Sequence, residues 1–164
     1  MKAVYPGSFD PITNGHLDML ERAISLFDVT IAVAADSPKS MLFSVEERIA
    51  MVREAVASHF KPAERKRLSV DRFDGLLVTY LKEKREHVII RGLRAVSDYE
   101  YELQLAHMNR RLLPEAETVF LVASPQYSFL SSSIVKEVIR LGGDISSMVP
   151  RSVEERLKAK IEGR

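Results

Sequence analysis

The sequence predicts an α/β fold: a single Rossmann-like nucleotide-binding domain with a five-stranded parallel sheet and helices on both faces. Three observations carry that expectation. Short apolar runs alternate with amphipathic stretches along the whole chain, the pattern of strands joined by right-handed helical crossovers. Runs such as "VTIAVAA" are apolar on both faces, as a parallel strand covered by helices must be. The 164 residues contain no internal repeat, low-complexity tract or dividing linker, so one core is expected. The domain is placed at residues 1–160. The tail 161–164, "IEGR", matches a protease recognition sequence used to remove tags.

Taken in order, "KAVYP" reads as the first strand and "NGHLDMLERAISLF" as a helix with Leu17, Leu20, Ala23, Ile24 and Phe27 on one face. "VTIAVAA" is the second strand. "SVEERIAMVREAVASHF" opens with Ser44 and Glu47 at capping-box spacing. "RLSVDRF" is the third strand, and "DGLLVTYLKEK" a helix capped by Asp74. "HVIIRG" is the fourth strand, "SDYEYELQLAHMNRRLL" a long helix stopped by Pro114, and "TVFLVAS" the fifth strand. "SSSIVKEVIRLGG" is a helix closed by Gly142 and Gly143, and "RSVEERLKAKI" the last helix.

Composition narrows the function. Lys+Arg (24) nearly cancels Asp+Glu (23), so no overall field favours nucleic acid or an anionic membrane. With no cysteine, disulfides, thiolate catalysis and cysteine-bound zinc are excluded. No apolar run approaches the ~18 residues of a membrane span, and a cytoplasmic location is expected.

In open parallel sheets, ligands sit beyond the carboxyl ends of the strands. The residues there are Gly7, Ser8, Asn14 and His16 after strand one; Asp36, Ser37 and Lys39 after strand two; Asp74 and Gly75 with neighbouring leucines after strand three; Arg91, Gly92 and Arg94 after strand four; and Ser124, Tyr127 and Ser128 to Ser133 after strand five. Cations, an imidazole, hydroxyls and helix N-termini on one edge make an anion site suited to more than one phosphate. In "YPGSFDPITNGH", Pro6 and Gly7 are expected to turn the chain and bare the backbone, Ser8 adds a hydroxyl, and Gly15 and His16 start a helix. Singly, these features have plainer readings: a turn before a cap, a solvated Lys39, strand-end arginines on the surface, Glu102 on a charged helix face with Asp98 and Glu100, and serines that only cap. His59, His87 and His107 lack metal-ligand spacing and read as structural.

Together the residues resemble the phosphopantetheine adenylyltransferase family over nearly the whole chain. Thr13-Asn14-Gly15-His16 is similar to the (T/H)xGH motif of nucleotidyltransferases at large; "IIRGLRAVSDYEYELQLAHMNR" and "YSFLSSSIVKE" are the more specific signatures. The resemblance implies transfer of AMP from ATP to 4'-phosphopantetheine, giving dephospho-coenzyme A and pyrophosphate, with Mg²⁺ held mainly by the ATP phosphates and no dedicated protein ligands. By matching position, Ser8, Phe9, His16, Gly92, Leu93, Arg94, Glu102, Tyr127, Ser128, Phe129, Leu130, Ser131, Ser132 and Ser133 contact ATP. Ser8, Lys39, Leu77 and Arg91 contact the acceptor, and His16, Ser8, Lys39 and Arg91 serve the chemistry. A homohexamer and coenzyme A as feedback ligand are implied as well. The chain departs from the family in having Ser8 where threonine is frequent, "DSPKSMLF" where "NPSKKPLF" is frequent, and Tyr127 where some members carry tryptophan. The chemistry needs no strong base, since a phosphate oxygen is already an anionic nucleophile, and no covalent nucleophile stands out; direct in-line transfer follows. The alternatives are a nucleotidyltransferase acting on nicotinamide mononucleotide or a phosphorylated polyol, and a nucleotide-binding domain without turnover.

Overall fold

A computed structural model describes residues 1–36 and 40–163. Five parallel strands form one sheet: β1 (Lys2–Gly7), β2 (Asp28–Ala34), β3 (Leu68–Phe73), β4 (Val88–Leu93) and β5 (Glu117–Val122), in the order β3-β2-β1-β4-β5. Its helices are α1 (Asn14–Ala23), α2 (Val45–His59), α3 (Pro62–Arg65), α4 (Leu77–Lys84), α5 (Val96–Leu112), α6 (Ser132–Arg140) and α7 (Arg151–Glu162).

Side-chain alternation along the strands explains why both faces must be covered. Ala3 and Tyr5 of β1, with Val29, Ile31 and Val33 of β2, pack under α1, α2, α6 and α7. Val4 and Ala32 point the other way and pack with Ile89 of β4 against Val78, Tyr80 and Leu81 of α4. Each central strand is therefore apolar at consecutive positions, the feature that marked these runs in the sequence.

The chain reverses direction across the sheet between β1 and β4, so the topological switch point opens beside the carboxyl ends of those strands. Pairing of β1 with β2 runs from Lys2↔Asp28 to Gly7↔Val33, whereas β1 meets β4 only at Val4↔Ile89. Two residues further on, Pro6 has no N–H with which to extend the second ladder. Pro6 and Gly7 still belong to β1, so the turn begins after them rather than at them.

Local chemistry sets the helix ends. Ser44 accepts from Glu47 N at 3.1 Å while Glu47 Oε2 accepts from Ser44 N at 2.8 Å, the capping box its spacing predicts. Asp74 does not cap α4: Leu76 occupies the N-cap position without a side-chain bond, and Asp74 is drawn instead to Arg72, at 2.8 and 3.0 Å. A bidentate arginine offers more than one exposed amide can. α5 closes at Leu113, immediately before Pro114.

Candidate active site

Beyond β1 and β4, two cavities of about 390 Å³ each lie side by side. Both are lined by Pro6, Gly7, Ser8, Arg91 and Glu102. One continues over Leu76 and Leu77 at the start of α4 and over Leu105, Met108 and Leu112 of α5. The other continues over Tyr5, Phe9 and His16, then Gly92, Arg94, Tyr127, Leu130, Ser131 and Ser132.

The loop after β1 holds its shape through packing. Phe9 is 1% exposed and adopts φ +47°, a backbone region uncommon for a bulky residue. Its ring stands edge-on to His16 at 5.1 Å between centroids and to Tyr5 at 5.7 Å. A Cβ on Gly7 would lie 3.0 Å from that ring, so any side chain there would push on the buried Phe9 by a few tenths of an ångström.

His16 occupies the third position of α1, and its cap determines its chemistry. Thr13 N–H donates to His16 Nδ1 at 3.0 Å, the Thr13 hydroxyl lies 3.0 Å from the same nitrogen, and His16 N–H donates back to Thr13 Oγ1 at 3.3 Å. Nδ1 is thus an acceptor, and the neutral ring carries its proton on Nε2. Burial, then the charges of Arg94 and Arg91, pull the imidazole pKa down to about 4. At neutral pH the ring is an uncharged N–H donor. Tyr5, beneath it, is pushed up to about 12 by burial and keeps its proton as well.

Both strand-end arginines are held by α5. Arg91 grips Glu102 with two bonds, 2.7 and 2.6 Å, and also donates to Pro6 O at 3.3 Å. Burial is the largest single influence and works against its charge, but the hydrogen bonds and charge of Glu102, with smaller help from Tyr5 and Tyr101, together leave its pKa raised. Arg94 pairs with Asp98 at 3.1 Å and donates to Leu130 O at 3.2 Å. Asp98 and Glu102 are one helical turn apart, which lets a single helix orient both cations.

Of the residues expected to meet ATP, Ser8, Phe9, His16, Gly92, Arg94, Glu102, Tyr127, Leu130, Ser131 and Ser132 line the second cavity. Leu93, Ser128, Phe129 and Ser133 line neither; Ser128 Oγ donates to Pro125 O at 2.9 Å, and Phe129 is 56% exposed. Several hydroxyls of the serine run are already engaged: Ser131 caps α6 by accepting from Ile134 N at 3.2 Å, and Ser132 donates to Pro11 O at 2.8 Å. Asn14 turns away and donates to Ser147 O at 2.9 Å. Leu77 lines the apolar cavity with Arg91. Lys39 lies outside the described residues. Among the described residues, no three His, Asp or Glu side chains gather as a metal cage, and no helix is long and apolar enough to cross a membrane.

Three features were missed by the sequence reading: Tyr5 in the cavity wall, the bonds of strand-end Ser124 to Asp18 at 2.7 and 2.8 Å, and two buried charges behind the loop, Arg48 and Asp10, the latter accepting from Lys136 at 2.8 Å. Tyr5 could have been found as the one ring-bearing polar residue of β1; the others carry no local signal.

This arrangement defines a class. Residues 4–138 match the cytidylyltransferase-like family. The backbone superposes on a nicotinate-nucleotide adenylyltransferase described as putative from Vibrio parahaemolyticus (TM-score 0.72, 16% identity, 98% of this chain and 95% of that one). It also superposes on nicotinic acid mononucleotide adenylyltransferase of Plasmodium falciparum (TM-score 0.67, 15% identity, 98% and 92%). At such identity these likenesses establish the fold alone. Sequence likeness goes further: phosphopantetheine adenylyltransferases of Thermodesulfovibrio yellowstonii (161 residues, 97% of this chain and 96% of the relative) and Thermosynechococcus vestitus (160 residues, 97% and 92%) are each 53% identical to it. That of Geotalea daltonii is also 53% identical, over 159 residues (96% and 95%). The chain belongs to the phosphopantetheine adenylyltransferase family.

Proposed function

We propose that this protein transfers the adenylyl group of ATP to 4'-phosphopantetheine, releasing dephospho-coenzyme A and pyrophosphate. The observation that carries the proposal is the junction of two unlike cavities at Ser8 and Arg91, beside His16. The apolar cavity suits a flexible arm with methyl groups, and Asn109 in its wall suits the amides of that arm. The polar cavity suits a nucleotide, with Arg94 and the N-terminus of α6 facing its phosphates.

In this reading an acceptor phosphate oxygen attacks the α-phosphorus of ATP. The new P–O bond forms as the bond to pyrophosphate breaks, and pyrophosphate leaves with the bonding pair. His16 Nε2–H and the Ser8 hydroxyl donate to the oxygens on which charge develops. Arg91, steadied by Glu102, and Lys39 hold the acceptor phosphate; Arg94 holds the phosphates of ATP. Magnesium, when bound to those phosphates, would offset part of their charge. Because His16 is neutral, it donates without adding a charge that must be desolvated.

Assembly as a homohexamer, coenzyme A as a feedback ligand and a cytoplasmic location complete the proposal. Exposed Tyr101 and Met108 on α5 and Val122 on β5 support self-association, which sedimentation would measure. Incubation with ATP, Mg²⁺ and 4'-phosphopantetheine should release pyrophosphate and yield a product with the mass of dephospho-coenzyme A. Nicotinamide mononucleotide as acceptor, or CTP as donor, should yield none; product from either would redirect the assignment.

A further inference from the structure

Behind the loop after β1 lies a charged side chain that faces neither cavity. Arg48, on the first turn of α2, is 1% exposed. Its guanidinium reaches three backbone carbonyls: Nη1 donates to Ser8 O at 2.6 Å and to Ala34 O at 2.8 Å, and Nε donates to Phe43 O at 3.2 Å. No carboxylate among the described residues forms an ion pair with it. A buried cation retained without such a pair is costly, and its forked geometry is what joins three separate segments.

Those segments matter to one cavity more than to the other. Ala34 lines the apolar cavity alone, Ser8 lines both, and the outer wall of the nucleotide cavity, from Arg94 to Ser132, receives nothing from Arg48. Asp10, also 1% exposed, reinforces the same junction by accepting from Leu42 N at 2.9 Å and Phe43 N at 3.0 Å.

We infer that Arg48 is a positioning residue for the acceptor: it fixes the Ser8 backbone against the end of β2, so that the junction of the cavities is preformed for the incoming phosphate. The inference rests on the adenylyl-transfer reading. A displacement of about 1 Å in such a junction costs on the order of 10²-fold in rate.

Lysine keeps the charge but cannot bond the three carbonyls together. The test is calorimetric binding of ATP and of 4'-phosphopantetheine, separately, to wild type and Arg48→Lys, with kcat and the thermal midpoint measured alongside. Expected for Arg48→Lys is a cooperative unfolding transition and ATP affinity within about threefold of wild type, with acceptor affinity and kcat each down by about tenfold or more. Equal losses for both ligands would make Arg48 merely structural and overturn the inference. So would wild-type binding and turnover by the variant. Wild type that binds ATP but not phosphopantetheine would overturn the acceptor reading itself. If Arg48→Lys does not fold, Arg48→Gln, neutral yet still a donor, takes the same measurements; failure of both to fold would overturn the positioning role.

Discussion

The two cavities that meet at Ser8 are alike in volume and opposite in chemistry. One is walled by leucines and a methionine of α5 and the start of α4, a surface for contact area; the other is walled by an imidazole, two arginines, two phenols and serines, a surface for charge and directed hydrogen bonds. In the polar cavity each main element is oriented in advance: His16 by Thr13, Arg94 by Asp98, Ser132 by Pro11 O. The apolar cavity has little to orient apart from Arg91 at the junction. Under the proposed reaction, preorganisation lies where charge would move, while the arm of the acceptor would be held by surfaces that tolerate adjustment.

Substitutions on the two sides should therefore fail differently. The largest effect is expected from His16→Ala, with kcat down about 10²- to 10³-fold and both KM values within a few-fold, by steady-state kinetics. A loss seen mainly in KM would place His16 among the binding groups and weaken the contrast.

Next comes the junction. Arg91→Met leaves Glu102 buried without its partner and should cost on the order of 2 kcal/mol in chemical denaturation, along with most acceptor binding. Adding Glu102→Met should restore much of that stability and none of the activity, because removing both charges also removes the desolvation cost.

On the apolar side, Leu77→Ala deletes methylene-scale contact worth about 1–2 kcal/mol, so the acceptor KM should rise about tenfold while the KM for ATP stays unchanged. A matching rise for ATP would mean that the cavities do not act separately.

The mildest effect at neutral pH concerns acid stability. The folded His16 pKa, about 4, lies below the value of about 6.5 expected for the unfolded chain. Between those values the unfolded state takes up a proton that the folded state does not, so this group destabilises the fold as pH falls from about 6.5 to about 4. His16→Gln should lack that slope, at most about 1.4 kcal/mol per pH unit, in denaturation curves taken across the window. Identical slopes would show that the ring is charged in the folded protein.

Much of this was legible in the sequence, for physical reasons. Strands covered on both faces must be apolar at consecutive positions, and Ser44 with Glu47 states its capping box directly. Ligand sites follow strand ends, so Ser8, His16, Arg91 and Arg94 could be collected before any coordinates. What escaped depends on contacts between distant elements. Asp74 is the exception, since its competitor Arg72 stands only two residues before it, and the spacing alone does not rank that ion pair against the cap. Family likeness places Glu102 at the ATP site, but only the fold reveals that it is 8% exposed and locked to Arg91. Arg48 sits in "VEERIAM" among ordinary helix charges, and only the fold discloses that it is buried beneath Ser8. The four-residue α3 is too short for any periodicity to announce it.

The central claim is that the adenylyl group passes directly between the two cavities, with no residue of the chain taking it up on the way. Its sharpest test is the stereochemical course at the α-phosphorus, followed with ATP made chiral there by sulfur substitution and with 4'-phosphopantetheine as acceptor. One direct in-line displacement inverts the configuration, and inversion is the predicted result. Retention would require two displacements and a covalent adenylyl-enzyme, and would contradict the account.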